Sequence, residues 1–150
     1  TDHGKFLRMI HVQVDATAPL YWWKEADQYK VGAVTDSCST MHKIHAKEFT
    51  LDDFSCEHLY NDVIDSPFKA IVDCLNFFRG LYLQHEDKED WWQMIQLLPS
   101  SYNQKRTWDL NYAVLKAIYH ARKDHKLDEW RQLCKWIETL PYADNLIIEG

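Results

Sequence analysis

The residues best suited to chemistry are an asparagine and an arginine in the second half of the chain, Asn111 and Arg122. A proline and a short polar and aromatic stretch lead from Leu97 into a helical pattern that carries Asn111 near its start. Such a strand-to-helix junction binds anions readily, because the first N–H groups of a helix point outward. Arg122 follows about three turns later on the same face. Its guanidinium can hold a phosphate or a carbonyl by two parallel bonds, although the helix dipole also favours arginine at a helix end.

A second candidate site is a run of small polar residues, in which Ser37, Ser39 and Thr40 flank Cys38. Hydroxyls and backbone N–H groups in such a run can line a phosphate or a ribose. The alternative is a polar loop or the N-cap of a short helix. No Gly-x-Ser-x-Gly motif surrounds these residues, which argues against a serine nucleophile. Cys38 is interpreted as a passive thiol, since no activating group stands beside it in the sequence.

A histidine pair, His42 and His45, has the spacing of two side chains on one helix face. Two such imidazoles can contribute to a metal site, which needs further ligands to be complete. No third ligand is evident nearby in the sequence. We therefore predict no metal site, and a metal-binding protein is the weakest functional hypothesis.

Composition predicts a single soluble, globular domain over residues 1–150. The chain is 46% hydrophobic and 27% charged, with a net charge of −6. This acidic balance argues against general nucleic-acid binding, which relies on a basic face, but it permits a local site for a small anion. No apolar stretch reaches the length of a membrane span. The four cysteines lack a Cys-x-x-Cys pair and fit reduced thiols in a cytoplasmic protein. Since the chain starts at Thr1 without a methionine, we treat an N-terminal segment as potentially missing.

Hydrophobic periodicity predicts a helix-rich α+β fold. Alternation over residues 9–17 predicts a strand, and Thr17 with Pro19 is typical of the start of a helix that runs to about Tyr29 and ends at Gly32. In the two Trp-Trp pairs, we expect one ring inside and one outside. The later elements are a loop or short strand at 33–41, a turn at 50–53, a helix opened by Ser66-Pro67, a helix at 91–98 stopped by Pro99, an extended stretch at 103–108, a helix capped by Asp109, a helix at 127–140 and a frayed tail.

The order of these elements resembles the flavin-dependent thymidylate synthases over about Phe6 to Leu140. The spacing from Leu98-Pro99 to Asn111 matches that family without a gap. Those enzymes transfer a methylene group from a folate to dUMP, with FAD carrying reducing equivalents from NADPH, and they act as tetramers with flavins at subunit interfaces. By this resemblance, Asn111 falls on an asparagine that contacts the flavin, and Arg122 falls on the arginine that holds the uracil nucleotide.

The family signature in the first half is only partly kept. It consists of Arg-His-Arg followed at fixed spacings by Ser, Asn, Ser and Arg. With one inserted residue, Arg-His-Arg falls on Gln28-Tyr29-Lys30, where Lys30 alone keeps a positive charge. The family's asparagine falls on Asp36, its second serine on Ser39 and its last arginine on Met41.

Two further positions also depart from the family. A glutamine that contacts the nucleotide there falls on Glu25, and a short Ala-Gln-x-Glu signature is changed over Leu127 to Trp130. Each charged hydrogen bond contributes about 1.5–3 kcal/mol. The loss of several cations would therefore lower ligand affinity by powers of ten.

The leading hypothesis implied by the resemblance is a diverged flavoprotein of pyrimidine biosynthesis that methylates dUMP to dTMP, with FAD as cofactor, NADPH and folate as co-substrates, and a homotetrameric assembly. The cofactor-binding residues would be Lys30, Asp36 and Asn111, and the substrate-binding residues would be Ser37, Ser39 and Arg122. Arg122 would also be catalytic, stabilising the charge that develops on a uracil carbonyl as C5 becomes nucleophilic. The alternative is a non-catalytic protein on the same scaffold that binds a nucleotide or a protein partner.

Overall fold

The computed structural model describes residues 3–149, which form a helix-rich α+β structure as the sequence predicts. The strands are β1 (His11–Pro19), β2 (Ala33–Ser37) and β3 (Asn103–Asn111). The α-helices are α1 (Leu20–Ala26), α2 (Thr40–Lys43), α3 (Asn61–Val63), α4 (Lys69–His85), α5 (Lys88–Leu97), α6 (Tyr112–Arg122) and α7 (Asp128–Ile137). Short 3₁₀ turns lie at Gly4–Met9 and Leu51–Asp53, and π-helical turns lie at Ile64–Phe68 and Asp144–Ile148.

The chain divides into two compact units. Among the described residues, unit 1 comprises 3–16, 22–37 and 105–149, and unit 2 comprises 17–21 and 38–104. No helix within residues 3–149 is both long enough and apolar enough to cross a membrane.

The three strands form one sheet in the order β1-β3-β2, with β2 antiparallel to β3. Polar side chains link β1 to β3. His11 Nδ1 lies 2.9 Å from Asp109 Oδ1, and Gln13 Nε2 donates to Asp109 Oδ2 at 3.0 Å. The hydrogen bond with His11, and to a smaller extent that with Gln13, holds the pKa of the Asp109 carboxyl below its usual value. The prediction that Asp109 caps a helix is therefore wrong, because its carboxylate is held at the sheet and β3 continues beyond it.

The helix cap is instead Asn111, the last residue of β3. Its Oδ1 accepts a hydrogen bond from the backbone N–H of Val114 at 3.0 Å, the bond expected of an N-cap side chain. Asn111 is 6% exposed, so this bond also satisfies a buried polar group. The strand-to-helix junction predicted around Asn111 is confirmed, although the extended stretch runs three residues further than predicted.

Four tryptophan rings form the centre of unit 1. Trp22, Trp23, Trp108 and Trp130 are each at most 2% exposed. The Trp22 ring lies 5.7 Å from that of Trp108 and 4.8 Å from that of Trp130. The prediction of one ring inside and one outside is wrong for the Trp22-Trp23 pair. Both rings are buried because β3 and α7 each supply a further tryptophan to cover them.

Helix α6 packs against both the Gly4–Met9 turn and the Asp144–Ile148 turn. The Tyr112 hydroxyl donates to the Pro141 carbonyl at 2.7 Å, and His120 Nε2 lies 2.8 Å from the Ile147 carbonyl oxygen. Ile147 is fully buried. The prediction of a frayed tail is therefore wrong, because the tail covers the apolar side of α6.

The start of α1 also differs from the prediction. The strand continues through Pro19, and the helix begins at Leu20 rather than near Thr17. The backbone N–H groups of Leu20 and Tyr21 donate to the carbonyls of Tyr102 and Ser100, each at 3.0 Å. The unpaired donors at the start of the helix are thus satisfied by main-chain carbonyls, so no Thr17 cap is needed.

Unit 2 has its own aromatic and aliphatic core. Its buried side chains come from the segments between α2 and the end of α5. They are Ile44, Phe49, Phe54, Phe68, Val72, Leu75 and Met94. Trp91 is half-buried against this core while Trp92 is exposed, as predicted for that pair.

The long helix of unit 2 begins before the predicted Ser66-Pro67 start. Residues 61–85 are helical without a break, with Pro67 inside the π-helical turn Ile64–Phe68. Proline lacks an N–H group, and a π turn is one of the few ways a helix absorbs the lost bond. The helix predicted before Pro99 is confirmed as α5, and Asp87 caps it by accepting from the Glu89 N–H at 2.9 Å.

Removing a buried leucine from α4 tests whether unit 2 depends on this core. Leu75 is fully buried, so we expect Leu75→Ala to lower the free energy of unfolding by about 2–5 kcal/mol in urea titration. Leu83→Ala is the matched control, because Leu83 lies on the same helix and is 52% exposed. Equal losses for the two variants would contradict the described packing.

Candidate functional site

A glycine turn after α1 determines the local shape of unit 1. Gly32 has a φ angle of +79°, a backbone conformation that residues other than glycine rarely adopt. A Cβ atom there would lie 2.5 Å from Asn111 Nδ2 and 3.1 Å from Val114 Cγ2. Position 32 therefore needs glycine both for its backbone conformation and for its close approach to the start of α6.

Beside this turn lies a groove of about 410 Å³, which we call the Gly32 groove. One wall is Asn111 with the first half of α6, and another is the turn after α1. The groove is lined by Arg8, Gln28, Tyr29, Lys30, Val31, Gly32, Asn111, Ala113, Val114 and Ala117. Small-molecule sites have volumes of about 300–1,000 Å³ and combine apolar walls with a few polar groups. The Gly32 groove has both properties.

Two cations, Arg8 and Lys30, line the Gly32 groove. Both side chains are exposed, and neither forms an ion pair with a carboxylate of residues 3–149. The structure thus brings the predicted cofactor residues Lys30 and Asn111 to one groove. Arg8 was missed, because an isolated arginine before a strand carries no pattern that marks it as part of a site.

A second groove adjoins the first and shares Tyr29 and Lys30 with it. Its volume is about 360 Å³, and its other lining residues are Trp23, Ala26, Asp27, Ala33, Thr35 and Trp108. We call it the Trp108 groove. Asp27 at its rim pairs with Arg106 at 2.7 Å. The shared Tyr29-Lys30 segment can therefore contact ligands on both of its sides.

Arg122, the predicted substrate and catalytic residue, lies behind Tyr29. Its Nε donates to the Tyr29 hydroxyl at 3.1 Å, and its Cζ lies 4.7 Å from the centre of the Trp130 ring. Its side chain is 17% exposed. The guanidinium is thus positioned by two aromatic rings and joined to both grooves through Tyr29.

Glu25 supplies the negative charge beside Arg122. One of its carboxylate oxygens, Oε2, accepts a hydrogen bond from Trp130 Nε1 at 2.7 Å, and the same oxygen lies 3.6 Å from Arg122 Nη1. His125 Nε2 also faces it, at 3.8 Å. Because Trp130 is fully buried, its indole N–H needs an acceptor, and Glu25 provides it.

The remaining predicted site residues lie elsewhere. Asp36 is exposed on β2 opposite Thr107, and Ser37 is exposed at the end of β2 opposite Arg106. Neither lines the Gly32 or Trp108 groove. Ser39 belongs to unit 2, where it precedes α2 as an exposed N-cap residue without a side-chain cap bond. Within unit 1 the structure therefore joins Lys30 and Asn111, with Arg122 adjacent, but not Asp36 or Ser37.

His42 and His45 line a separate cavity of about 350 Å³ in unit 2, together with Tyr82 and Trp91. Among residues 3–149, neither histidine belongs to a group of three candidate ligand atoms close enough to share a metal ion.

All four cysteines are free. Cys38 is exposed, whereas Cys134 is buried, and this burial raises the pKa of its thiol to about 11. The Cys134 thiol is therefore protonated at neutral pH and is a poor nucleophile.

Comparison of this structure with solved structures identifies the fold. Two crystal structures of flavin-dependent thymidylate synthase from Helicobacter pylori, each with FAD and dUMP, match the chain with a TM-score of 0.69. Each match covers 98% of this chain and 76% of the synthase chain, at 17% sequence identity. The chain has the flavin-dependent thymidylate synthase fold. The resemblance read from the sequence is thereby confirmed for the fold.

The likeness to the synthase fold lies in the structure and not in the amino-acid sequence. No protein-family profile matches the chain, and no curated protein matches it. At such distance the fold is kept by its packing pattern, while the polar residues of a site are free to change. The function must therefore be argued from the side chains that line the two grooves of this chain.

Gly32 offers a direct test of the junction on which the Gly32 groove depends. We expect Gly32→Ala to lower the free energy of unfolding by about 1–3 kcal/mol, because its backbone is left-handed and its Cβ would strike Asn111. Gly80→Ala is the matched control, since a Cβ on that residue of α4 would meet no atom within 4 Å. This control should gain about 0.5–1 kcal/mol from higher helix propensity. A Gly32→Ala variant as stable as the wild type in thermal unfolding would contradict the described contact.

Proposed function

We propose that this protein is a diverged flavin-dependent thymidylate synthase-like enzyme, which binds FAD and converts dUMP to dTMP with a folate methylene donor and NADPH. The observation that carries the proposal is the meeting of Lys30, Asn111 and Arg8 at one groove. It is supported by the fold, whose solved examples from Helicobacter pylori contain FAD and dUMP. A homotetramer in the cytoplasm is part of the proposal and follows from the resemblance of the sequence to the family.

The residues of the Gly32 groove fit a flavin nucleotide in chemical terms. Arg8 and Lys30 are cations without carboxylate partners among residues 3–149, as a pyrophosphate would require. Ala113, Val114 and Ala117 provide an apolar wall for a flat ring. The absence of a Cβ at Gly32 allows the backbone to approach closely. Since FAD is a long molecule, the adjoining Trp108 groove gives it or the nucleotide a second space past Tyr29.

Bound FAD would supply the reducing equivalents needed to convert a transferred methylene into a methyl group. The role of the chain is to bind and orient the ligands. Arg8 and Lys30 would neutralise phosphate charge, and Asn111 would hold the wall of the groove in place. Arg122 would donate to a uracil carbonyl and stabilise the charge that develops there. By the resemblance, Asp36 would contact the cofactor, and Ser37 and Ser39 would contact the substrate. Asp36 and Ser37 line neither the Gly32 groove nor the Trp108 groove.

A second candidate function is nucleotide or flavin binding without turnover. The observation in its favour is the contact between Arg122 and Glu25, which already supplies an anion to the would-be catalytic guanidinium. Release of tritium from the C5 position of labelled dUMP distinguishes the two candidates. Turnover requires it, whereas a binding protein would retain bound flavin and release no tritium.

The flavin site is tested by the visible absorption spectrum of the protein after addition of FAD and gel filtration. We expect the flavin to remain with the wild type. Arg8→Ala and Lys30→Ala should each weaken binding by about tenfold or more, because each removes a charged contact to a phosphate. Lys135→Ala is the control, since Lys135 is exposed on α7 and lines neither groove. Absence of flavin from the eluted wild type would overturn the cofactor assignment.

The nucleotide site is tested by calorimetric titration with dUMP. Arg122→Ala should weaken dUMP binding by about tenfold, because a charge-assisted hydrogen bond to the uracil is lost. Lys123→Ala removes an exposed cation at the same end of α6 and should leave the affinity unchanged. Equal affinities for the wild type and Arg122→Ala would remove Arg122 from the site.

A further inference from the structure

Glu25 and Arg122 form a contact in which the same carboxylate oxygen also faces two other groups, the Trp130 indole and the His125 ring. Glu25 Oε2 accepts from the buried indole of Trp130 at 2.7 Å and lies 3.6 Å from Arg122 Nη1. The Arg122 side chain is 17% exposed and that of Glu25 is 40% exposed. The pair is therefore partly shielded from water, so its attraction exceeds that of a fully exposed pair.

The aromatic neighbours restrict where the Arg122 guanidinium can go. It lies over the Trp130 ring, and its Nε is bonded to the Tyr29 hydroxyl. Its Nη1 already faces the Glu25 carboxylate. A ligand that needs that donor must compete with a carboxylate that belongs to the same chain and is held in place by Trp130.

We propose that Glu25 is a built-in competitor for Arg122, which keeps the affinity for a uracil nucleotide low until its carboxylate is displaced. The proposal rests on the proposed function, because it concerns the regulation of that nucleotide site. Glu25 acts as a positioning and specificity-determining residue. It disfavours any ligand whose interaction with Arg122 is weaker than that of the carboxylate. When no ligand is bound, it neutralises the charge of the guanidinium.

The variant that separates the two duties of Glu25 is Glu25→Gln. The amide oxygen of glutamine can still accept from Trp130 Nε1, so the buried indole stays satisfied. The negative charge beside Arg122 is lost. A purely structural ion pair would make this variant weaker in ligand binding or leave it unchanged, whereas a competitor makes it bind more tightly.

The first measurement is the dissociation constant for dUMP by calorimetry. Glu25→Gln should bind dUMP about two- to fivefold more tightly than the wild type, since the ion pair between Glu25 and Arg122 no longer has to be broken. Glu138→Gln is the matched control, because it makes the same change of charge in unit 1 at a residue that contacts Tyr119 instead. The control should bind dUMP as the wild type does.

The second measurement needs no nucleotide. Phenylglyoxal modifies arginine, and the rate at which Arg122 is modified can be followed by peptide mass spectrometry. Arg122 should react about two- to fivefold faster in Glu25→Gln than in the wild type and in Glu138→Gln, because the paired carboxylate no longer holds it.

The outcomes are distinguishable. If the wild type binds dUMP and Glu25→Gln binds it no more tightly, the competitor proposal is overturned while the proposed function stands. If neither binds dUMP, the nucleotide assignment in the proposed function fails. The modification rate then tests the competitor proposal by itself, and an unchanged rate overturns that proposal. Tighter dUMP binding together with faster modification supports the proposal.

Discussion

Asn111 stands where a strand ends, a helix begins and a glycine turn makes its closest approach. Its side chain is almost completely buried, so both ends of its amide must be accommodated by the protein. The oxygen accepts from the first turn of α6, and the nitrogen faces Gly32 without room for an added carbon. Because this junction allows little variation, it fixes the spacing between α6 and the turn after α1. The Gly32 groove is the space that this spacing leaves open.

The electrostatics of unit 1 follow from a second buried polar group, the indole N–H of Trp130. The tryptophan cluster buries that ring completely, and the nearest acceptor is a carboxylate rather than a neutral group. Glu25 therefore brings a negative charge to a region that otherwise contains Arg122 and His125. A requirement of the core thus determines the charge of the neighbouring site. Unit 1 therefore contains two kinds of cation. Arg122 is paired with Glu25, whereas Arg8 and Lys30 have no carboxylate partner among residues 3–149.

Much of the fold could be predicted from periodicity. The strand ending near Thr17, the helix before Pro99 and the helix holding Leu115 and Ile118 each have a clear pattern, because a buried face repeats at the period of its element. The errors have two causes, a partner that is distant in sequence and a local conformation that the sequence pattern does not mark. Asp109 has the chemistry of a cap, but His11 and Gln13 hold it at the sheet. Pro67 has the chemistry of a helix start, but a π turn carries the helix through it.

The candidate site could be predicted only in part, because some of its residues come from segments that are distant in sequence. The spacing from Pro99 to Asn111 and Arg122 can be recognised in the sequence, since it lies within one short continuous segment that forms a turn, a strand and a helix. Arg8 is not predicted as a ligand-site residue, because it reaches the groove from a segment before the first strand. The resemblance marks position 25 as one that contacts the nucleotide, but it does not predict the partners of Glu25 in this chain. The hydrogen bond from a tryptophan 105 residues away gives Glu25 a role that no local pattern records.

The arrangement of unit 1 along the chain has a consequence for how the protein is made. Helix α6 is covered by one turn that precedes the first strand and another that follows the last helix. Unit 2 draws most of its residues from one continuous stretch, 38–104. On the ribosome, that stretch emerges complete while unit 1 still lacks its final segment. The packing around α6 can be completed only after the Asp144–Ile148 turn has left the exit tunnel, later than the stretch that forms most of unit 2.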